Sequence, residues 1–320
     1  MDQNRMPLVE ALQQFREEAP AYFRIPGHRF ERGLDETLNG VSLAAYDLSE
    51  AEGLDDLHHA EGVIAEAQKL AAETWKDKKT FFLVNGTTCG NEAMVLSSVK
   101  EGEKIIVPRN VHKSVLMGLI LSGATPVYVM PEYSTKWQMW GGVTPETIEK
   151  AFAETPDAKA VLLVSPTYYG LCSDLQAIAE ICHCHNAALL VDEAHGSHLY
   201  FSEQLPLGAL ESGADACAQS IHKTAGSFTQ SSFLSLGSGR LDEARVAANL
   251  QMVQSTSPSY LLMASLDAAR RGMALHGKER MERALELGQE GAAGVLQRYK
   301  GIVSSLGPRW KERAAYGRST

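Results

Sequence analysis

A series of short, nearly continuous apolar segments constrains the fold of this chain more than any other feature. They are Phe81–Val84, Lys104–Pro108, Thr125–Met130, Ala160–Val164, Ala188–Val191, Ala214–Gln219 and Ser232–Leu236. Strands that lack polar alternation are buried on both faces, which marks a mostly parallel sheet covered by helices. Helical patterns separate them, among them Glu92–Val99 and His112–Leu121. An amphipathic helix precedes them, with Val63, Ile64, Ala67, Leu70, Ala71, Thr74 and Trp75 at helical spacing. After residue 240 the pattern is helical, over 241–255, 260–276 and 278–300, and Pro258 separates the first two. The expected architecture is a three-layer αβα domain over residues 60–300. Residues 1–59 are expected to form an N-terminal arm, and 301–320 a disordered tail.

The 320 residues carry 30 basic and 39 acidic side chains, a net charge of −9. No basic stripe that would track a nucleic-acid backbone is present. No apolar run reaches the roughly 18 residues a membrane span needs, and the N-terminus has no basic-then-apolar leader pattern. A cytoplasmic protein without nucleic-acid or membrane partners is expected. The five cysteines are an odd count without a regular framework, which fits a reducing compartment. Cys182-His183-Cys184-His185 lacks the Cys-x2-Cys or His-x3-His spacing of zinc sites. It reads as a helix end with two partly buried thiols, and no metal is expected.

The chemistry centres on two strand ends. Asp192 closes Leu-Leu-Val-Asp, and Lys223 follows 31 positions later in Ser-Ile-His-Lys-Thr. A carboxylate delivered by one strand and a lysine delivered by a second are what pyridoxal phosphate (PLP) chemistry needs. The lysine forms a Schiff base with the cofactor aldehyde, and the acid keeps the pyridine nitrogen protonated. Most lysines are solvated surface residues, so the case for Lys223 rests on the apolar strand before it and on the hydroxyls around it.

Other strand ends add candidates. Asn85-Gly86-Thr87-Thr88-Cys89-Gly90-Asn91 lies between a strand and a helix start, where hydroxyls and free N–H groups can hold a phosphate; an ordinary strand-to-helix turn with a capping threonine is the other reading. His112 follows the strand ending at Pro108 and can stack on an aromatic ring or make a local hydrogen bond. His195, three positions after Asp192, can contact the ring or hold Asp192. Ser220 and His222 are candidate phosphate contacts. Val164–Gly170 can line the pocket or form a simple turn, and Gln254–Tyr260 leads into a helix.

These segments together resemble the major domain of the Orn/Lys/Arg decarboxylases, which are fold type I PLP enzymes. The matching segments are Ile25–His28, Asp47–His59, Phe82–Asn91, Pro108–Ser114, Ser165–Gly170, Asp192–His198, Ser220–Thr224 and Ser255–Tyr260, in family order. The resemblance implies that Lys223 is the Schiff-base lysine, Asp192 the pyridine-nitrogen partner and His112 the ring-stacking group. It implies that Thr87, Thr88, Ser220 and His222 hold the phosphate and that His195 lies beside the ring. It further implies a homodimer or higher homo-oligomer in which the Ser257 region reaches the neighbouring subunit's phosphate. The implied reaction is decarboxylation of arginine, lysine or ornithine to a polyamine or diamine precursor. The family's C-terminal small domain has no counterpart before Thr320, so a non-catalytic PLP-binding remnant is a competing expectation. Another enzyme of the same fold, an aminotransferase or an aldolase, is a third.

Overall fold

The computed structural model describes residues 47–50 and 54–298. The expected arm before residue 47, including Ile25–His28, and the expected tail after 300 lie outside the described residues.

A helix, α1 (Val63–Trp75), leads into strand β1 (Lys79–Leu83) and helix α2 (Gly86–Ser98). Then come β2 (Lys104–Pro108), α3 (Lys113–Ser122) and β3 (Thr125–Val129). A two-strand hairpin, β4 (Tyr133–Ser134) and β5 (Met139–Trp140), precedes α4 (Pro145–Glu154), β6 (Ala160–Val164), α5 (Leu175–Cys184) and β7 (Ala188–Asp192). The chain continues through β8 (Ala216–Gln219), the one-turn α6 (Ile221–Thr224), β9 (Ser232–Leu236), α7 (Glu243–Val253) and α8 (Tyr260–Arg298).

The main sheet has the order β1-β9-β8-β7-β6-β2-β3. From β8 to β3 all neighbours are parallel, and β9 runs antiparallel to both β8 and β1. This is the mostly parallel α/β sheet expected from the apolar runs.

Strand alternation sorts the core into layers. Ile105, Val107, Leu162, Leu190 and Ala218 pack on one face against Ala93, Met94 and Val115 of α2 and α3. Ile106, Val161, Leu163, Leu189 and Val191 pack on the other against Ile148, Phe152, Ile178 and Cys182 of α4 and α5. Trp75, Phe82, Phe233, Leu266 and Met273 form a third cluster joining α1 and α8 to the β1–β9 end.

Three expectations need correction. Helix α2 starts at Gly86, not Glu92, so Thr87 to Asn91 belong to its first turns. Gly90, which reads like a loop residue, sits where a side chain would meet Leu83 and Ala218. Close helix–sheet packing explains that glycine. Second, residues 260–298 form one helix rather than two. A Cβ at Gly277 would lie 2.4 Å from the Phe201 ring, so this glycine allows a close approach and does not break the helix. Third, Cys182 is buried while Cys184 is exposed, and His183 Nε2 lies 3.1 Å from Asp215 Oδ2. No cluster of metal-ligating side chains occurs among the described residues.

Candidate active site

The carboxyl ends of the adjacent parallel strands β8, β7, β6 and β2 open on one cavity of about 850 Å³. Open α/β sheets bind ligands at this edge. Lys223, Asp192, His195 and His112 line it, and Thr87, Thr88, Ser220 and His222 line it with them. Ser257 does not: it is exposed on the segment before α8 and forms no part of this cavity.

Alternation decides which of two neighbouring acids enters. Asp192 shares its face with Leu190 and points toward α2. There Asn91 Nδ2 donates to its Oδ2 at 2.8 Å, and the Ala194 N–H donates to its Oδ1 at 3.2 Å. Burial pushes the Asp192 carboxyl above the ordinary carboxylate range; the donors from Asn91 and Ala194 and the charges of His112 and Lys223 oppose that. Glu193 takes the opposite face. It accepts from Tyr200 Oη at 2.8 Å, Gln219 Nε2 at 2.7 Å and the Ala209 N–H at 2.7 Å, outside the cavity lining.

Lys223 lies on α6, the turn that follows β8, and its Nζ is 3.2 Å from His195 Nε2. Burial lowers its pKa, and the charge of Asp192 opposes the shift. Burial and then the Lys223 charge lower His195 to about 4. At neutral pH the His195 ring is therefore uncharged, and its Nε2 can accept a proton-bearing contact from the lysine. Tyr168 meets the same ring edge-on, with centroids 5.9 Å apart.

The N-terminus of α2 faces the cavity from the other side. Gly86 has φ +76° and Asn85 makes no side-chain capping bond. The first N–H groups of a helix have no intrahelical acceptor, so this end suits an anion. Thr87 Oγ1 lies 2.6 Å from Ser220 Oγ and donates to Ser232 Oγ at 3.1 Å. His222 Nδ1 donates to the Ser231 carbonyl at 2.9 Å. Its Nε2 is thus an acceptor in the neutral ring and becomes a donor only on protonation.

The structure also brings in residues to which the sequence reading assigned no role. Asn91 bonds Asp192 directly, and Ser114 bonds Asn91. Trp140 and Gln230 line the cavity too, while Tyr168 and Tyr169 line it from the Val164–Gly170 segment already expected there. One signal was available: Thr87 and Asn91 are four apart and share a helix face once the helix begins at Gly86.

Comparison with known proteins fits this geometry. The Orn/Lys/Arg decarboxylase major domain matches residues 6–303. An arginine decarboxylase of Halalkalibacterium halodurans is 44% identical over 291 residues, covering 90% of this chain and 59% of that protein. One from Bacillus subtilis is 42% identical over 319 residues, covering 99% of this chain and 65% of the relative. The chain therefore spans roughly three-fifths of the length of these relatives. Among solved structures, lysine decarboxylase A from Pseudomonas aeruginosa superposes with a TM-score of 0.71 at 26% identity, covering 91% of this chain and 43% of that one. A family pattern that runs through nearly the whole sequence, on a matching fold, places this chain in the Orn/Lys/Arg decarboxylase family of PLP-dependent lyases.

Proposed function

We propose that this chain, with PLP, removes the α-carboxyl group of a basic amino acid as CO2 and leaves the amine. Arginine is the foremost substrate, because the relatives at 42–44% identity are arginine decarboxylases. The observation that carries the reading is the convergence of an amine, a buried carboxylate and an anion-receptive helix end on one cavity.

The residues fit the cofactor. Lys223 is the amine for its aldehyde, and burial favours the uncharged form that can attack. Asp192 is a buried carboxyl already facing two donors, and a protonated ring nitrogen would supply the counter-charge that burial denies it. The first turn of α2, with Thr87 and Thr88, and Ser220 beyond β8 provide N–H and hydroxyl groups for the phosphate. Burial holds His222 below the ordinary histidine range, and a bound phosphate dianion would oppose that shift and favour a donor at Nε2. His112, which lines the cavity beyond β2, would stack on the cofactor ring, and His195 sits between Lys223 and Tyr168. Bound PLP supplies the electron sink for the pair left on the α-carbon when CO2 departs.

Residues 60–300 act as the cofactor-binding domain in this reading, and the assembly is a homodimer to which Ser257 contributes across the interface. An apolar row on α3 supports an interface: Ile120 is 71% exposed, and Leu116, Met117 and Leu121 lie beside it. The amine product makes the reaction a source of polyamine precursors. A cytoplasmic location agrees with five unpaired cysteines.

The test is product analysis. Protein loaded with PLP is incubated with arginine, lysine or ornithine, and CO2, amine and oxo acid are quantified. Equal amounts of CO2 and amine are expected, fastest with arginine. An oxo acid without CO2 would replace the reading with transamination.

A further inference from the structure

We propose that Asn91 and Ser114 are positioning residues that hold His112 in one tautomer, with Nδ1 as acceptor and the ring proton on Nε2, through a hydrogen-bond chain anchored at Asp192. The inference rests on the reading of Asp192 and His112 as cofactor-facing groups.

The direction of the chain follows from a bond that cannot be reversed. The backbone N–H of Ser114 points at His112 Nδ1 at 3.3 Å, where the histidine caps helix α3. A backbone N–H only donates, so Nδ1 carries no proton. Ser114 Oγ lies 2.8 Å from the same nitrogen. With Nδ1 an acceptor, the hydroxyl spends its single proton there. Its oxygen must then accept elsewhere, and Asn91 Nδ2 is 2.9 Å away. That requirement sets the amide with its NH2 group toward Ser114. The second hydrogen of the same NH2 reaches Asp192 Oδ2 at 2.8 Å.

The opposite end of the chain gives the same direction independently. A carboxylate that also receives the Ala194 N–H needs a donor from Asn91, not a carbonyl. Asn91 and Ser114 are both completely buried, so water does not offer alternatives. The arrangement leaves Asn91 Oδ1 buried without a hydrogen-bond partner. Rotating the amide would satisfy that oxygen nowhere better and would set it against the Asp192 carboxylate. The orphaned carbonyl is the consequence of directing both N–H bonds along the chain. It leaves His112 with one polar group for a ligand, a donor, which suits an anionic oxygen.

The chain separates two effects. Asn91 serves both Asp192 and, through Ser114, His112. Ser114 bonds His112 directly and reaches Asp192 only through Asn91. The test is 15N-histidine NMR of the full chain with and without PLP, with His112 assigned by its loss in His112→Gln, and PLP titration of the same samples. The parent is expected to show His112 protonated on Nε2. In Ser114→Ala only the longer backbone N–H contact, at 3.3 Å, still holds Nδ1, so the two ring-nitrogen signals should draw partway together as tautomers mix, and Ser114→Thr should restore them. PLP affinity should fall about tenfold in Asn91→Ala, which removes a charge-assisted bond, and change less than about threefold in Ser114→Ala. A parent His112 protonated on Nδ1 overturns the proposal, as does an unchanged tautomer in Ser114→Ala. If the parent takes up no PLP while His112 shows the stated tautomer, the cofactor reading falls and the wiring stands. If PLP binds and the tautomer is the other one, the wiring alone falls.

Discussion

Gly90→Ala tests how tightly the cavity is tied to the packing beneath it. A Cβ at this position would lie 2.8 Å from Leu83 Cδ1 and 3.0 Å from Ala218 Cβ. Leu83 is fully buried, and the Ala218 methyl is fixed to the backbone of β8. Leu83 Cδ1 can shift only within a closely packed core and the Ala218 methyl cannot turn aside, so α2 must lift from the sheet by a few tenths of an ångström. Overpacking of this kind costs about 1–3 kcal/mol, and the better helix propensity of alanine returns up to roughly 1. The net loss of about 1–2 kcal/mol corresponds to a fall in Tm of about 1.5–3 °C for a chain of 320 residues. Asn91 is the next residue, so its 2.8 Å bond to Asp192 lengthens as the helix lifts. Thermal unfolding followed by circular dichroism reads the first effect, and PLP titration reads the second. Gly288→Ala is the control. That glycine is exposed on α8 with nothing near its Cβ position, so the same substitution should stabilise by about 0.5–1 kcal/mol. A Gly90→Ala protein that melts at or above the parent would refute the reasoning, and so would equal losses at both positions.

Two further substitutions probe the frame. Burial raises the Asp77 carboxyl to about 7, helped by the charge of Glu211, while Oδ1 lacks a hydrogen-bond partner. The folded pKa lies above the unfolded one, so the stability this group contributes is complete below about pH 4 and is lost as pH rises through 7. The loss is at most about 4 kcal/mol. Asp77→Asn should flatten the decline in urea midpoint between about pH 4 and 7; an unchanged slope would exonerate Asp77. Arg245 donates from Nη2 to the carbonyls of Leu96 at 2.7 Å and Val99 at 3.3 Å, closing the C-terminus of α2. Arg245→Ala should cost about 1–2 kcal/mol in chemical denaturation. A loss under about 0.3 kcal/mol would mean that solvent replaces those bonds freely.

The strands were legible because burial on both faces leaves unbroken apolar runs. The sheet edge that forms the site followed from where those runs end, at Pro108, Val164, Asp192 and Gln219. Helix limits were less legible where glycine does packing work. Gly90 and Gly277 both permit a neighbour's close approach, a reason that composition does not distinguish from a turn. The short hairpin that brings Trp140 to the cavity has two residues per strand, too few for any periodicity. The choice of Asp192 over Glu193 could not be read from the run, which is apolar on both faces; it follows from the face of β7 that α2 covers. Nor could the link from Asp192 to His112, since it joins Asn91 on α2 to Ser114 on α3 through a contact that only the packed helices create.

The central claim is that Lys223 anchors PLP in this cavity. The direct measurement is visible absorbance of the purified protein with added PLP, for the parent and for Lys223→Ala, followed by borohydride reduction and peptide mapping. The account predicts a visible band in the parent, its loss in Lys223→Ala, and a reduced adduct on the peptide that carries Lys223. A band that persists in Lys223→Ala, or an adduct on another lysine, would contradict it.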